Sequence, residues 1–374
     1  MFLQSLKISG FMSFKDVTWK PERLNVLIGP NGSGKSNLLR ALDLIRASAT
    51  GDLRDSVIRN GGLPRLLWGD SAQHARFEIV TGDGMPSARQ NTYRFALAPL
   101  PRSASFRVEA ESLSLSDRSA SVFRREGEAL TEGGPATGLP ETETYLSLSA
   151  RWMDPPLYTF LQKLSASAIY HDLRVDERAE IRRPAVVREE RNVTPDGQNL
   201  TPVLKTLYES DFKEAIDAGM SAAFPDDYNE LLFRETEPNR IQLYVRRKHG
   251  HREDSAADLS DGTLRFLLLL TILATPDPPP LIAIDEPESG LHPSMLPIIA
   301  EFAAAAATRT QVILSTHSPQ MLDAFGDALP AATLFEWVGN HTEMKTVAGD
   351  DLRRWVDDYS LGRFIFSGEA AAVL

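Results

Sequence analysis

Two short stretches carry the residue types that phosphate chemistry needs. Gly29-Pro30-Asn31-Gly32-Ser33-Gly34-Lys35-Ser36, followed by Asn37, matches the pattern G-x-x-x-x-G-K-[ST]. Gly32 and Gly34 can take positive φ and let the backbone approach an anion with no Cβ in the way. Successive N–H groups then converge on phosphates, and the start of a helix adds its positive dipole end. In such a loop Lys35 supplies a mobile positive charge for the β- and γ-phosphates, and Ser36 a hydroxyl ligand for Mg²⁺. The second stretch is Leu281-Ile282-Ala283-Ile284-Asp285-Glu286. Asp285 can hold Mg²⁺ through water or the Ser36 hydroxyl, and Glu286 can orient and deprotonate an attacking water. Together the two stretches predict binding and hydrolysis of a nucleoside triphosphate with Mg²⁺ as cofactor.

The elements that must position these groups are written around them. Leu24 to Ile28 is an apolar run that reads as a buried strand, and Asn37 to Ile45 has helical apolar spacing. Strand, glycine loop and helix form the context the loop requires. An apolar strand ending in Asp-Glu before Pro287 also fits a strand that merely runs into a turn, so it gains weight from its pairing with the loop. Leu259-Ser260-Asp261-Gly262-Thr263 precedes the apolar run Leu264 to Leu270. Ser260 or Asp261, then Gly262, makes a second anion-binding helix start, although the same residues serve as an ordinary N-cap on a buried helix. Gln311 to Pro319 is another buried strand with a polar tip, where His317 can reach a γ-phosphate; a lone His after a strand carries weight only with the rest of the set.

Composition narrows the class. The hydrophobic fraction of 42% and charged fraction of 24% are ordinary for a soluble globular protein, and 374 residues can bury the core of two lobes. With no cysteine, disulfides, thiol catalysis and Cys-based metal sites are excluded. A net charge of -11 argues against a nucleic-acid binder that works through bulk charge, though a local basic face remains compatible with it. Met1 to Lys7 is too short and polar for a signal peptide, and the apolar run from Phe266 to Ala274 is far short of a membrane span. A cytoplasmic location with no membrane segment is expected.

Three regions follow from the patterning. Residues 1–150 read as a nucleotide-binding lobe with an antiparallel β subdomain, from alternating runs such as Arg76 to Val80 and Tyr93 to Leu97. Residues 151–250 read as a mainly helical insert, with an amphipathic stretch from Pro202 to Phe224 and a strand over Ile241 to Val245. Residues 251–374 hold the second lobe. Glu126 to Glu143, rich in Gly, Pro, Thr and Glu, reads as a mobile loop. The basic run Arg246 to Arg252 reads as a solvated hairpin tip rather than a phosphate groove. Arg182, Arg183 and Arg188, interleaved with Glu180, Glu189 and Glu190, read as surface salt pairs. Trp68, Trp152 and Trp355 read as core or interface packing.

The set resembles the ABC-type ATPase heads of the SMC, RecF and OLD-like group. Gly29 to Asn37 follows that group's G-x-N-G-x-G-K-S-N, Leu259 to Thr263 its L-S-D-G-T, Asp285 to Pro293 its D-E-P-E-x-G-L-H-P, and Thr316 to Pro319 its T-H-S-P. Asp196 to Leu200 and the tail Arg354-Trp355 through Ser360-Leu361-Gly362 resemble a compact subgroup without long coiled coils. The resemblance implies an α/β P-loop NTPase fold, an ABC-type two-lobed head with an antiparallel β subdomain and a helical insert. It implies a homodimer in which two heads sandwich two ATP molecules. The phosphate loop and Asp285-Glu286 of one protomer would face Ser260, Asp261 and Gly262 of the other, with Ser289 at the interface and His317 on the γ-phosphate in cis. It departs at Gly10-Phe11-Met12-Ser13-Phe14, where the group often has a basic residue at the place of Met12, and its magnesium-sensing glutamine has only Gln73 as a candidate. The implied role is a switch in DNA repair or in defence against mobile elements, acting on DNA and on a separate effector such as a nuclease. The chain shows no D-x-D or H-N-H nuclease pattern, and a fused effector is not expected after His317. The alternatives are the energising subunit of a transport complex, opposed by L-S-D-G-T where transporters usually have L-S-G-G-Q, and a non-hydrolysing scaffold, opposed by the intact Asp285-Glu286 pair.

Overall fold

The computed structural model describes residues 1–347 apart from 70, 84–89, 102–104, 119–120, 134–137, 150–153, 250–251 and 327. These residues form two compact units, one from Met1–Ile169 with Ala331–Val347, the other from Tyr170–Pro330.

The first unit opens with the hairpin β1 (Phe2–Phe11) and β2 (Phe14–Trp19), then β3 (Leu24–Ile28) and the helices α1 (Lys35–Thr50), α2 (Leu53–Arg59) and α3 (Leu63–Leu66). Strands β4 (Ala75–Gly82), β5 (Asn91–Pro99), β6 (Phe106–Ser114), β7 (Phe123–Glu126) and β8 (Ala129–Glu132) follow, then α4 (Tyr145–Ser149) and α5 (Pro155–Ser165). A seven-stranded sheet runs in the order β2-β1-β4-β5-β6-β7-β8, and its neighbouring strands pair antiparallel. Its alternation is direct: Ala75, Phe77 and Ile79 are buried while Arg76 is exposed, as a half-buried strand requires. Phe77 stacks on Phe95 with ring centroids 4.8 Å apart and meets the edge of Phe11 at 5.2 Å. Helix α1 buries Leu38, Ala41, Leu42 and Ile45, the i, i+3, i+4, i+7 stripe, and stops at Gly51, whose φ of 85 suits a left-handed helix end.

Composition predicts a mobile loop over Glu126 to Glu143; residues 134–137 of it lie outside the described residues, and within the described part strand pairing and hydrogen bonds hold the chain. Ala129–Glu132 pairs with β7, and the buried Arg125 guanidinium donates to the carbonyls of Gly127, Pro140 and Glu143 at 2.6, 2.7 and 2.6 Å. One arginine from the preceding strand supplies the anchorage that the segment's few apolar residues cannot.

The short strand β9 (Ala168–Tyr170) leads into the second unit, which holds β10 (Ala185–Val186), α6 (Leu200–Tyr208), α7 (Lys213–Ala223), β11 (Tyr228–Glu237), β12 (Arg240–Arg247) and β13 (Glu253–Ser255). Then come α8 (Asp261–Ala274), β14 (Leu281–Asp285), α9 (Leu296–Ala307), β15 (Gln311–Thr316) and α10 (Pro319–Asp323). The amphipathic stretch from Pro202 to Phe224 forms two helices, α6 and α7, divided at residues 209–212. Strands β10, β12 and β11 lie in that order with β13 on β12, all antiparallel, whereas β14 and β15 pair parallel. Helix α8 is buried almost all round, from Phe266 through Ala274, because α6, α7 and α9 pack against it. In the basic hairpin Arg246 pairs with Glu230 and Glu253, Arg247 with Asp227 and Asp254, and Arg252 with Asp254. These three arginines thus have carboxylate partners among the described residues.

The chain returns to the first unit as β16 (Ala331–Val338) and β17 (His341–Val347), with β16 parallel to β3 and antiparallel to β17. Half-buried Trp68 donates its indole N–H to Asn340 O at 3.1 Å. Trp152, Trp355 and the tail segment Arg354 to Gly362 lie outside the described residues. Among the described residues no helix is long and apolar enough to cross a membrane.

Candidate functional site

The phosphate loop sits at the end of a strand buried from Asn25 to Ile28. It turns through Gly29, Gly32 and Gly34, with φ of 157, 80 and 111. A Cβ at Gly29 would lie 2.5 Å from Phe335 O, and one at Gly34 would lie 2.5 Å from Thr342 Oγ1 and 2.8 Å from Ser13 Oγ. A Cβ at Gly32 would meet nothing within 4 Å, so that residue lies on the open side of the loop. Gly34 caps α1 without a side chain, which leaves first-turn N–H groups for an anion. Lys35 is buried, and its ammonium donates to Gly29 O at 2.6 Å and Pro30 O at 3.0 Å, so the loop wraps around the charge. Pro30, Asn31 and Gly32 are exposed, and Ser36 and Asn37 are half-buried in the first helical turn. The Ser33 hydroxyl is buried without a partner among the described residues.

Two residues without an assigned role in the sequence brace this loop. Thr342 Oγ1 donates to Ser33 O at 2.7 Å, and Thr342 N–H donates to Ser13 O at 2.8 Å. The Asn37 amide donates to Ser13 Oγ at 2.8 Å. Gln73 is exposed in the segment before β4.

In the second unit, the parallel register of β14 on β15 sets Asp285 beside Ser315, whose hydroxyl donates to the Asp285 carboxylate. Glu286 then takes φ 46, a left-handed conformation rare for a non-glycine residue, in the position before Pro287. Such strain costs about 1–3 kcal/mol and persists only where neighbours fix it. Here Glu286 N–H donates to Ser315 O at 3.1 Å, and Glu286 O accepts from Arg265 Nη2 at 2.9 Å and from Ser289 N–H at 3.1 Å. Ser289 Oγ donates to one carboxylate oxygen at 3.2 Å, and His317 Nδ1 stands 3.2 Å from the other. The Glu286 and His317 side chains are 42% and 43% exposed, so the assembled pair faces solvent.

Glu288 lies behind them. It accepts from Thr316 Oγ1 at 2.5 Å and from His317 N–H at 3.3 Å, and its oxygen is 3.7 Å from His317 Nδ1. Burial pushes the Glu288 carboxyl above its ordinary range, against these hydrogen bonds. Burial likewise lowers the Arg265 guanidinium, while Asp172, Glu288 and Glu286 oppose that shift.

The signature residues open α8. Ser260 is the N-cap, accepting from Thr263 N–H at 3.1 Å, with Asp261 exposed and Gly262 half-buried behind it. A Cβ on Gly262 would lie 2.9 Å from Gly290 O, so only glycine lets the helix start against the turn that carries Ser289. Arg182, expected among surface salt pairs, is 7% exposed. Its guanidinium donates to the carbonyls of Val175, Asp176, Ala256, Ala257 and Leu259 and to the Asp261 carboxylate. Arg183 does pair with Glu180 at the surface. Within the first unit the structure therefore groups Gly29 to Asn37 with Ser13 and Thr342. Within the second it groups Asp285, Glu286, Ser289 and His317 with Ser315, Glu288 and Arg265, and sets Ser260 to Gly262 against the Gly290 turn. Ser315 and Glu288 stand inside motifs already legible; Arg182, Arg265 and Thr342 carry no local signal.

Residues 24–323 match the protein family described as "AAA domain, putative AbiEii toxin, Type IV TA system". The chain belongs to this AAA family. It is also 34% identical over 89 residues to the chromosome partition protein Smc of Coxiella burnetii, across 22% of this chain and 8% of that protein. It is 33% identical over 95 residues to the DNA replication and repair protein RecF of Idiomarina loihiensis, across 24% of this chain and 27% of that protein. The matched segments thus span a minor part of either relative. A solved SMC head bound to the C-winged helix domain of ScpA superposes with a TM-score of 0.60 at 16% identity, covering 93% of this chain and 98% of that one. The fold is that of an ABC-type P-loop NTPase head of the SMC and RecF kind.

Proposed function

We propose that this AAA-family protein is a Mg²⁺-dependent ATPase that closes into a homodimer around ATP. It would serve as a switch in DNA repair or in defence against mobile elements, acting on DNA and relaying its state to a separate effector such as a nuclease. The observation that carries the reading is the Glu286–His317 pair, held in a strained turn at the tip of an acid-ended strand. The residues present fit a nucleotide and its metal. Gly32 opens the loop on one side, Lys35 is already enclosed by the loop, the Ser33 hydroxyl has no partner among the described residues, and Ser315 holds Asp285 in place.

In this reading the loop N–H groups and Lys35 hold the β- and γ-phosphates. Ser36 and Asp285 would hold Mg²⁺, which neutralises phosphate charge when bound. Glu286 orients water and takes its proton as the water oxygen bonds to the γ-phosphorus and the bond to the β–γ bridging oxygen breaks. ADP and phosphate are the products. His317 keeps the Glu286 carboxylate aimed and faces the γ-phosphate, while Ser260, Asp261, Gly262 and Ser289 of the second protomer complete the site. The matches to proteins of chromosome partition and of replication and repair, and the toxin–antitoxin wording of the family's description, support a role on DNA or in defence. Steady-state ATP turnover of wild type and Lys35→Ala, with and without duplex DNA, tests it. Turnover should need both Mg²⁺ and Lys35, and equal rates in the two proteins would contradict the proposal.

A further inference from the structure

The signature loop carries an acid where an anion has to arrive. Asp261 is in the first turn of α8, one residue after the Ser260 cap and next to Gly262, and its side chain is 65% exposed. A carboxylate there suits the helix dipole but repels a triphosphate approaching the same N–H groups, and the repulsion grows as closure excludes water. Arg182 answers that charge from below. Its guanidinium is buried, with Nε on Val175 O and Asp176 O at 2.9 and 3.1 Å. Nη1 reaches Ala256 O, Ala257 O and Leu259 O at 3.3, 3.1 and 2.7 Å, and Nη2 donates to Asp261 Oδ1. Carbonyls carry no net charge, so among the described partners of this guanidinium Asp261 supplies the full negative charge.

We infer that Arg182 is a positioning residue for ATP-driven closure: it fixes the loop that precedes Ser260 and cancels the Asp261 charge, so that the α8 start can accept the partner protomer's nucleotide. This rests on the dimeric ATPase reading above. Two features separate it from a purely architectural role. The carbonyl contacts need a planar donor fork, which glutamine imitates in part and lysine does not. The Asp261 contact needs charge, which lysine keeps and glutamine lacks. If charge cancellation governs closure, the lysine variant outperforms the glutamine variant, and removing the acid rescues the latter.

The experiment is sedimentation of full-length Glu286→Gln protein with Mg-ATP, carrying Arg182→Lys, Arg182→Gln or Arg182→Gln with Asp261→Asn. Thermal melting and fluorescent-ATP binding are followed in parallel. The expected dimer affinity falls by about tenfold or more in Arg182→Gln, falls less in Arg182→Lys, and recovers most of the loss in the double variant, since the uncancelled Asp261 carboxylate repels the incoming triphosphate as closure excludes water. ATP binding to the monomer should stay within about twofold, because the phosphate loop belongs to the other unit. Equal loss in the lysine and glutamine variants without rescue by Asp261→Asn overturns the inference, and so does an undiminished dimer in both. Loss of the folded state in both single variants also overturns it, by assigning Arg182 to the fold alone. If the Arg182-containing protein itself fails to dimerise with ATP, it is the dimeric reading that fails instead.

Discussion

Glu286 holds a left-handed backbone at the tip of the acid-ended strand, with φ 46. Its left-handed backbone turns the carboxylate off the strand axis toward His317, and Ser315 and Arg265 hold the backbone while Ser289 holds both its carbonyl and its side chain. Glu286→Gln keeps the size and the hydrogen-bonding edge but cannot take a proton. It should bind ATP as wild type does while turnover falls by at least ~100-fold, the scale of a lost general base. Equilibrium ATP binding with single-turnover quench measures both, and a wild-type rate would move water activation to another group. Ser315 acts one step back, since its hydroxyl donates to Asp285 and also accepts from Glu286 N–H at 3.2 Å. A hydrogen bond to a charged group contributes about 1.5–3 kcal/mol. Ser315→Ala should therefore raise the Mg²⁺ concentration for half-maximal turnover by about tenfold or more. A Mg²⁺ titration that leaves the midpoint in place would show that Asp285 is held by other means.

At the scale of elements, the helix that carries the phosphate loop is tied to the antiparallel sheet through a buried carboxylate. Glu111 on β6 accepts from Tyr93 OH at 3.0 Å and from the first-turn N–H groups of α4, Tyr145 at 2.5 Å and Leu146 at 2.9 Å. The preceding residue, Thr144, donates to Ser48 O on α1 at 2.5 Å. Burial raises the Glu111 pKa from its ordinary 4.5 to about 7, against those donors and Arg125. A raised carboxyl binds its proton more tightly in the folded state. Its contribution is therefore complete below pH 4.5 and is lost as pH climbs through about 7. The swing is about 3 kcal/mol. The stability difference between wild type and Glu111→Gln should thus shift against wild type from pH 5 to pH 8. Melting both proteins across that range tests this, and a pH-independent difference would show that Glu111 titrates as an ordinary carboxylate.

Elements and motifs differ in how legible they were. The phosphate loop, the acid-ended strand and the signature each occupy a few consecutive residues, and strand alternation and helical stripes are local, so sequence alone revealed them. Glu111 was hidden by a register shift. Phe106 and Val108 alternate inward on β6, but Leu97 pairs with Val108 and Ala96 with Ala110, which leaves Glu109 as an extra residue. The shift of one flips the parity and turns Glu111, not Ala110, into the core. Arg182 was hidden for another reason. Its partners are mostly main-chain carbonyls, which every residue type supplies, so no spacing of side chains announces them.

At the scale of the whole molecule, the chain carries a phosphate loop in one unit and a signature and acid strand in the other. The signature helix offers N–H groups and a positive end to an anion, and the proposed occupant is the nucleotide of a second protomer. A net charge of -11 makes the approach of two identical chains unfavourable without a bridging ligand, so closure should follow ATP and strengthen with salt at moderate concentrations. The most direct test is sedimentation velocity on the Glu286→Gln protein with and without saturating Mg-ATP, alone and with Ser260→Arg. A nucleotide-dependent dimer that Ser260→Arg abolishes, with ATP still bound by the monomer, is the predicted result. A protein whose sedimentation is unchanged by ATP, or a Ser260→Arg variant that responds as its parent does, would contradict the composite site.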